Sequence, residues 1–333
     1  KWEDYNMDIK SIKPNYYTLK SFEFINGRIL ENQIVEYITL GTPRYDADGK
    51  ICNAIIYFHG TTGNYSSINR ISSMLVEGKP LSLDDYYFVS LSTLGTPGSS
   101  SPSTSGLNND YPEYGVLDMV NFNRQFLEEC LNITHPLGLI GNSMGGFEAV
   151  TWATIYPDSI DFLISLVSSY KVGGQNYVIS KVMNDIITSD PDFNGGNITG
   201  DCKRSLKMAS KSMYSFGLSR QFYMDQSISD INKYMDEFAE EDSMEDVLDA
   251  YYRNVASMNY DLSSIVSDIC VPTLIIGIYE DQYFPPELDA IPMHALIKNS
   301  TLVCFNSYMG HVGSSELIKI EPEIVEFMSQ FKE

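Results

Sequence analysis

Three residues have the types and the chain order that nucleophilic acyl transfer needs: Ser143, then Asp281, then His311. A serine hydroxyl is a weak nucleophile until a base takes its proton. A histidine can take that proton, and a carboxylate can hold the imidazole tautomer and stabilise the imidazolium that forms. Ser143 lies in Gly141-Asn142-Ser143-Met144-Gly145-Gly146. A bare G-x-S-x-G recurs by chance, but this one follows an apolar run at 136–140 and precedes a helical pattern at 147–156. Strand, sharp turn and helix are the setting of a nucleophile elbow, whose glycines allow the strand and helix to approach closely. An ordinary Ser/Gly loop is the competing reading.

The base comes from only four histidines: His59, His135, His294 and His311. His311 sits in a Gly-His turn after the last strand-like run, where the base of such a site belongs. His135 precedes a proline before the elbow strand, His294 falls in a helical pattern, and His59 reads as structural. The acid is Asp281, in the loop after the apolar run at 272–278, with its neighbour Glu280 as the alternative. An acyl-transfer site also needs donors for the oxyanion. Those expected are the backbone N–H groups of Met144, at the start of the elbow helix, and of Thr61. Thr61 lies in His59-Gly60-Thr61-Thr62-Gly63, directly after the strand-like run at 53–58. A plain strand-end turn is the alternative there.

The elements that must position these groups read as alternating strands and helices. Residues 15–40 alternate like strands, with Asn26-Gly27 as a tight hairpin turn. A helical pattern at 68–76 and a strand at 86–92 follow. Residues 93–112, rich in Gly, Ser, Pro and Thr, read as a long surface loop. A helix at 118–131, the elbow and a strand at 160–167 come next. From 171 to 261 the pattern turns polar, Met- and Tyr-rich and helical. The sheet pattern returns at 272–278 and 301–305, with a helix at 287–297 between them and a closing amphipathic helix at 315–331. The expected architecture is therefore an α/β-hydrolase fold: a mostly parallel sheet flanked by helices, with core segments 1–170 and 262–333 and a helical cap at 171–261. The Met and Tyr side chains of the cap either line an apolar pocket or pack the cap onto the sheet.

Composition narrows the partners. Hydrophobic residues make up 43% and charged ones 20%, enough for a large buried core. A formal charge of -22 makes nucleic acid and anionic membranes poor partners. No apolar run is long enough to cross a membrane. The five cysteines, Cys52, Cys130, Cys202, Cys270 and Cys304, show no metal spacing and are expected as buried free thiols in a reducing compartment. A cytoplasmic location is expected. The chain begins with Lys rather than Met, so a removed leader and export stay open.

Taken together, the chain resembles the homoserine O-acetyltransferase family of α/β-hydrolases over nearly its whole length. The resemblance rests on several stretches: the elbow with Glu148 to Ala153 and Tyr156-Pro157, Asp118-Met119-Val120, Asp190 to Gly196, Asp281 with Phe284-Pro285-Pro286, and Gly310-His311. It implies that Ser143, Asp281 and His311 form a triad and that Thr61 supplies an oxyanion N–H. It also implies that no cofactor is needed, with acetyl-CoA a co-substrate if the chain is a transferase, and that the chain can form a homodimer through the cap. The chain departs from the family at two places. Val312 stands where the transferases carry an Asp that helps hold the amino-acid substrate, and the loop after His59 reads Gly60-Thr61-Thr62-Gly63 rather than Ala-Leu-Thr-Gly. For the arginine that would grip a substrate carboxylate, Arg220 and Arg253 are the candidates.

The expected activity is that of a serine hydrolase acting on a small-molecule ester, thioester or amide. The alternative is an O-acyltransferase that uses acetyl-CoA, and a non-catalytic binding protein of the same fold is a third reading.

Overall fold

Alternation in the first forty residues becomes a long hairpin. Strands β1 (Asn15–Glu23) and β2 (Ile29–Leu40) pair antiparallel, with Phe22 opposite Leu30. The chain is described from a computed structural model covering residues 8–332. The apolar runs that follow form β3 (Ala54–Phe58), β4 (Tyr87–Leu91), β5 (Gly138–Asn142), β6 (Phe162–Leu166), β7 (Thr273–Ile278) and β8 (Ser300–Phe305). They make an 8-stranded sheet in the order β1-β2-β4-β3-β5-β6-β7-β8. Pairing is antiparallel on either side of β2 and parallel from β4 to β8.

Strands β3 to β7 are buried at every position, as parallel strands covered on both faces must be. Alternate side chains feed opposite layers. Ala54, Ile56, Phe58 and Leu139 join the core under α1 (Val116–Leu131) and α2 (Met144–Ile155). Ile55, Tyr57 and Ile140 join the core under the 3₁₀ segment Tyr65–Met74 and the C-terminal helix. Asp118 holds the hairpin to α1: its carboxylate accepts from the Ile25 N–H at 2.7 Å and from the Gly115 N–H at 2.9 Å.

Between β6 and β7 lie α3 (Gly174–Thr188), α4 (Lys203–Tyr214), α5 (Arg220–Asp225), α6 (Ile228–Asp242) and α7 (Val247–Met258), the stretch read from sequence as helical. Helix α8 (Ala290–Leu296) precedes β8, and α9 (Glu321–Met328) closes the chain. Among the described residues no helix is long and apolar enough to cross a membrane.

Several boundaries differ from the sequence reading, each for a local reason. The segment after residue 64 is 3₁₀ rather than α, started by a capping box between Asn64 and Ser67. The closing segment is not one helix. Pro322 has no N–H to continue a helix from before it, so 3₁₀ turns at Leu317–Ile320 and Ser329–Phe331 flank a short α9. Residues 93–101 do not form a surface loop: Thr93, Thr96, Ser99, Ser100 and Ser101 are buried. Small hydroxyls make this possible because four of the five find a partner, Thr96 Oγ1 being the exception among them. Ser99 Oγ accepts from the Glu36 N–H at 2.9 Å, and Ser100 Oγ lies 2.7 Å from the Tyr111 hydroxyl. All five cysteines are free, but only Cys202 is buried. Cys52 and Cys270 sit just outside the strands they precede and are exposed.

Candidate active site

In the parallel part of the sheet every strand ends on the same side, so the loops after β3, β5, β7 and β8 meet there. They carry Thr61, Ser143, Asp281 and His311 respectively. At the β5–α2 corner Ser143 adopts φ 55° and ψ −118°, a sparsely populated conformation for a residue with a side chain. Three hydrogen bonds hold it there. The Ser143 N–H donates to Leu166 O at 2.9 Å, and the Ser143 carbonyl accepts from the Gly146 N–H at 2.8 Å and Ser168 Oγ at 2.7 Å. The flanking glycines have a steric cause. A Cβ on Gly141 would lie 2.3 Å from Gly145 O, and one on Gly145 only 2.1 Å from Phe58 O.

His311 bridges the other two groups. Its Nδ1 is 2.7 Å from Asp281 Oδ2 and its Nε2 is 3.0 Å from Ser143 Oγ. The Asp281 side chain is fully buried and the His311 side chain 14% exposed. The second Asp281 oxygen accepts from the N–H groups of Tyr283 at 2.8 Å and Phe284 at 3.0 Å, which fixes the carboxylate. The Tyr283 ring stands edge-on to the imidazole at 4.9 Å and that of Phe284 lies 5.9 Å away. Glu280 faces elsewhere, accepting from Asn306 Nδ2 and the Ser307 N–H at 2.7 and 2.8 Å. Of the two carboxylates weighed from sequence, only Asp281 reaches His311.

Thr61 and Met144 line the same cavity, and among the described residues neither backbone N–H donates to another protein group. The cavity is ≈ 160 Å³. The helices between β6 and β7 contribute Asn176, Ile179 and Met183 from α3, Met213 and Tyr214 from α4, and Asn254 and Ser257 from α7. Met183, Met213 and Tyr214 thus line the pocket, whereas Met208, Met224 and Met244 are exposed. Neither arginine put forward from sequence reaches the cavity wall. Arg253 is buried and ion-paired with Glu245, and Arg220 donates from the surface to Gln282. The arginine that does line the cavity is Arg70. Sequence reasoning passed over it inside a helical pattern, where a lone cation reads as a solvated face.

A buried polar network lies behind the Thr61 loop, built on the His59 read from sequence as structural. His59 is fully buried; its Nδ1–H donates to Gly60 O at 2.8 Å and its Nε2 accepts from the Thr93 N–H at 3.1 Å. That pairing needs the neutral ring, and burial pushes the imidazole pKa down to about 4. Thr93 Oγ1 donates in turn to Glu148 Oε1 at 2.5 Å, which also accepts from Asn123 Nδ2 at 2.8 Å. Glu148 is a charge-bearing residue on the otherwise buried, apolar α2, and that contrast was the available signal. Burial raises its pKa to about 8, against the lowering effect of the Thr93 and Asn123 hydrogen bonds.

The sign of the resulting pH dependence follows from linkage. Above the ordinary carboxyl range the unfolded chain has released the Glu148 proton while the native protein keeps it, so stability falls as pH rises toward 8. His59 acts the other way, but only between about 4 and the ordinary imidazole value of 6.5. Asp289, raised to about 7 chiefly by burial, adds to the fall up to that pH. Glu148→Gln should therefore remove about 2 kcal/mol of stability loss between pH 6.5 and 8. Thermal melts across that window test this, and a slope equal to that of the wild type would show that Glu148 is already ionised.

The profile of the alpha/beta hydrolase fold family matches residues 53–309. A probable acyltransferase from Methanothermobacter thermautotrophicus is 43% identical over 96% of this chain and 99% of its own length. A homoserine O-succinyltransferase from Cupriavidus taiwanensis is 30% identical over 52% of this chain and 47% of that protein. Among solved structures, an acetylester hydrolase from Corynebacterium glutamicum superposes with a TM-score of 0.84 at 20% identity, covering 95% of this chain and 96% of the other.

Proposed function

The chain belongs to the alpha/beta hydrolase fold family, and from that premise we propose that it is a serine hydrolase cleaving small-molecule esters or thioesters through an acyl-enzyme. The observation that carries this reading is the His311 ring, bonded through Nδ1 to Asp281 and through Nε2 to Ser143. A carboxylate on Nδ1 keeps the proton there and leaves the Nε2 lone pair facing the serine hydroxyl.

The steps balance without any group beyond the protein and its substrates. Ser143 Oγ attacks the carbonyl carbon as its proton passes to His311 Nε2. The N–H groups of Thr61 and Met144 receive the oxyanion. The bond to the leaving group breaks, and His311 returns the proton to it. Water then gives a proton to His311 and attacks the acyl carbon, and the bond to Ser143 Oγ breaks as that oxygen regains its proton. A carboxylic acid leaves.

A second reading, in which an alcohol takes the place of water, is favoured by the similarity to the probable acyltransferase. Acetyl-CoA would then be a donor substrate rather than a cofactor. Incubation with acetyl-CoA or 4-nitrophenyl acetate, with and without homoserine, separates the two. Hydrolysis should proceed in water alone and be unaffected by homoserine. Turnover that requires homoserine and yields O-acetylhomoserine would move the assignment to transfer.

A further inference from the structure

Among the described residues, Arg70 is the only Lys, Arg, Asp or Glu in the cavity wall. Its presence there contrasts with the chain as a whole, which carries a formal charge of -22. Arg70 is half-buried, and among the described residues it makes no ion pair. Its Nη1 donates to Val312 O at 3.0 Å and to Ser314 Oγ at 3.3 Å, which anchors the side chain beside the turn that bears His311. A guanidinium has five N–H donors in a rigid fork, and the other nitrogens of this one donate to no protein group among the described residues. Its field also reaches the cap side of the cavity. Burial raises the pKa of the Tyr214 phenol, and the Arg70 charge is among the effects opposing it.

A half-buried guanidinium with free donors is suited to a carboxylate, which it can meet through two parallel hydrogen bonds. A wall with no acid offers nothing to balance an ammonium group, whose desolvation would go uncompensated. We propose that Arg70 binds a carboxylate of the substrate, so that the enzyme acts on an ester or thioester carrying a negative charge and no ammonium. This deepens the acyl-enzyme reading and rests on it. The carboxylate can belong to the acyl group or to the leaving alcohol.

Two matched ester pairs test the proposal and separate those sources. Monoethyl succinate against ethyl butyrate places the charge on the acyl side. 3-Acetoxypropanoate against propyl acetate places it on the alcohol side. The readout is the ratio of kcat/KM, charged over neutral, within each pair. In one pair the wild type should favour the charged ester, and Arg70→Gln should lower that ratio roughly 10- to 100-fold. Arg70→Lys should retain part of the ratio, which a purely structural role would not predict. If Arg70→Gln does not fold, Val312→Asp serves instead, since a carboxylate added to this wall should also depress the ratio. Equal losses on charged and neutral esters, or a wild-type preference for the neutral ester in both pairs, would overturn the proposal. Failure of the underlying reading looks different: no ester of either pair is turned over, and a fluorophosphonate leaves Ser143 unlabelled.

Discussion

Ser143→Ala is expected to lower kcat by about ten-thousandfold or more, the usual scale when a serine nucleophile is removed from such a set. The protein should nevertheless stay folded. The hydroxyl bonds His311 alone, while the strained corner is held by backbone groups of residue 143 that alanine also has. The melting temperature should therefore move little, so lost activity can be read as lost chemistry. A fluorophosphonate should label the wild type and not the variant. Labelling of the variant, or turnover within tenfold of wild type, would remove Ser143 from the role proposed for it.

The second large effect is expected at the acid. Both Asp281 oxygens are in use: one accepts from the Tyr283 and Phe284 N–H groups, the other from His311 Nδ1–H. In Asp281→Asn the amide oxygen stays with the two backbone donors, and the NH₂ group turns toward His311. Nδ1 must then accept, the proton moves to Nε2, and the ring can no longer take a proton from Ser143. A loss of about ten-thousandfold in kcat is expected from the wrong tautomer. Glu280→Gln, one residue away, disturbs only the contacts to Asn306 and Ser307 and should change kcat by less than about tenfold. Steady-state kinetics on both variants decide it, and the reverse ranking would transfer the role to Glu280.

The parts of this molecule legible in its sequence are those with strong local signals. The elbow glycines are dictated by contacts within a few residues, and the buried strands announce themselves as apolar runs. The order Ser143, Asp281, His311 along the chain matched the order in which strands β5, β7 and β8 present their loops. What sequence hid depends on distant partners. Asp281 was preferred over Glu280 from sequence, but Glu280 stayed open there because what separates them is which one the β7 loop turns toward a histidine thirty positions on. Ser99 and Ser100 look like loop residues because nothing local shows that Glu36 and Tyr111 will satisfy them. Arg253 looked available for a ligand until Glu245 took it, and nothing local singled out Arg70, whose anchor is the distant turn at Val312. The strand and helix pattern and the order of the three residues identified the architecture; the polar contacts made by distant partners became visible only in the folded chain.

Strand β8 is the outermost of the sheet, and most of its residues are only partly buried. His311 hangs from this edge, while Ser143 follows β5, well inside. Local opening at a sheet margin requires far less free energy than global unfolding. The activity proposed for the chain thus depends on a segment at the sheet margin. On mild heating or in low denaturant, His311 can part from Ser143 while the interior strands stay paired. Inactivation and unfolding are then separate transitions, and the first reports on the edge alone.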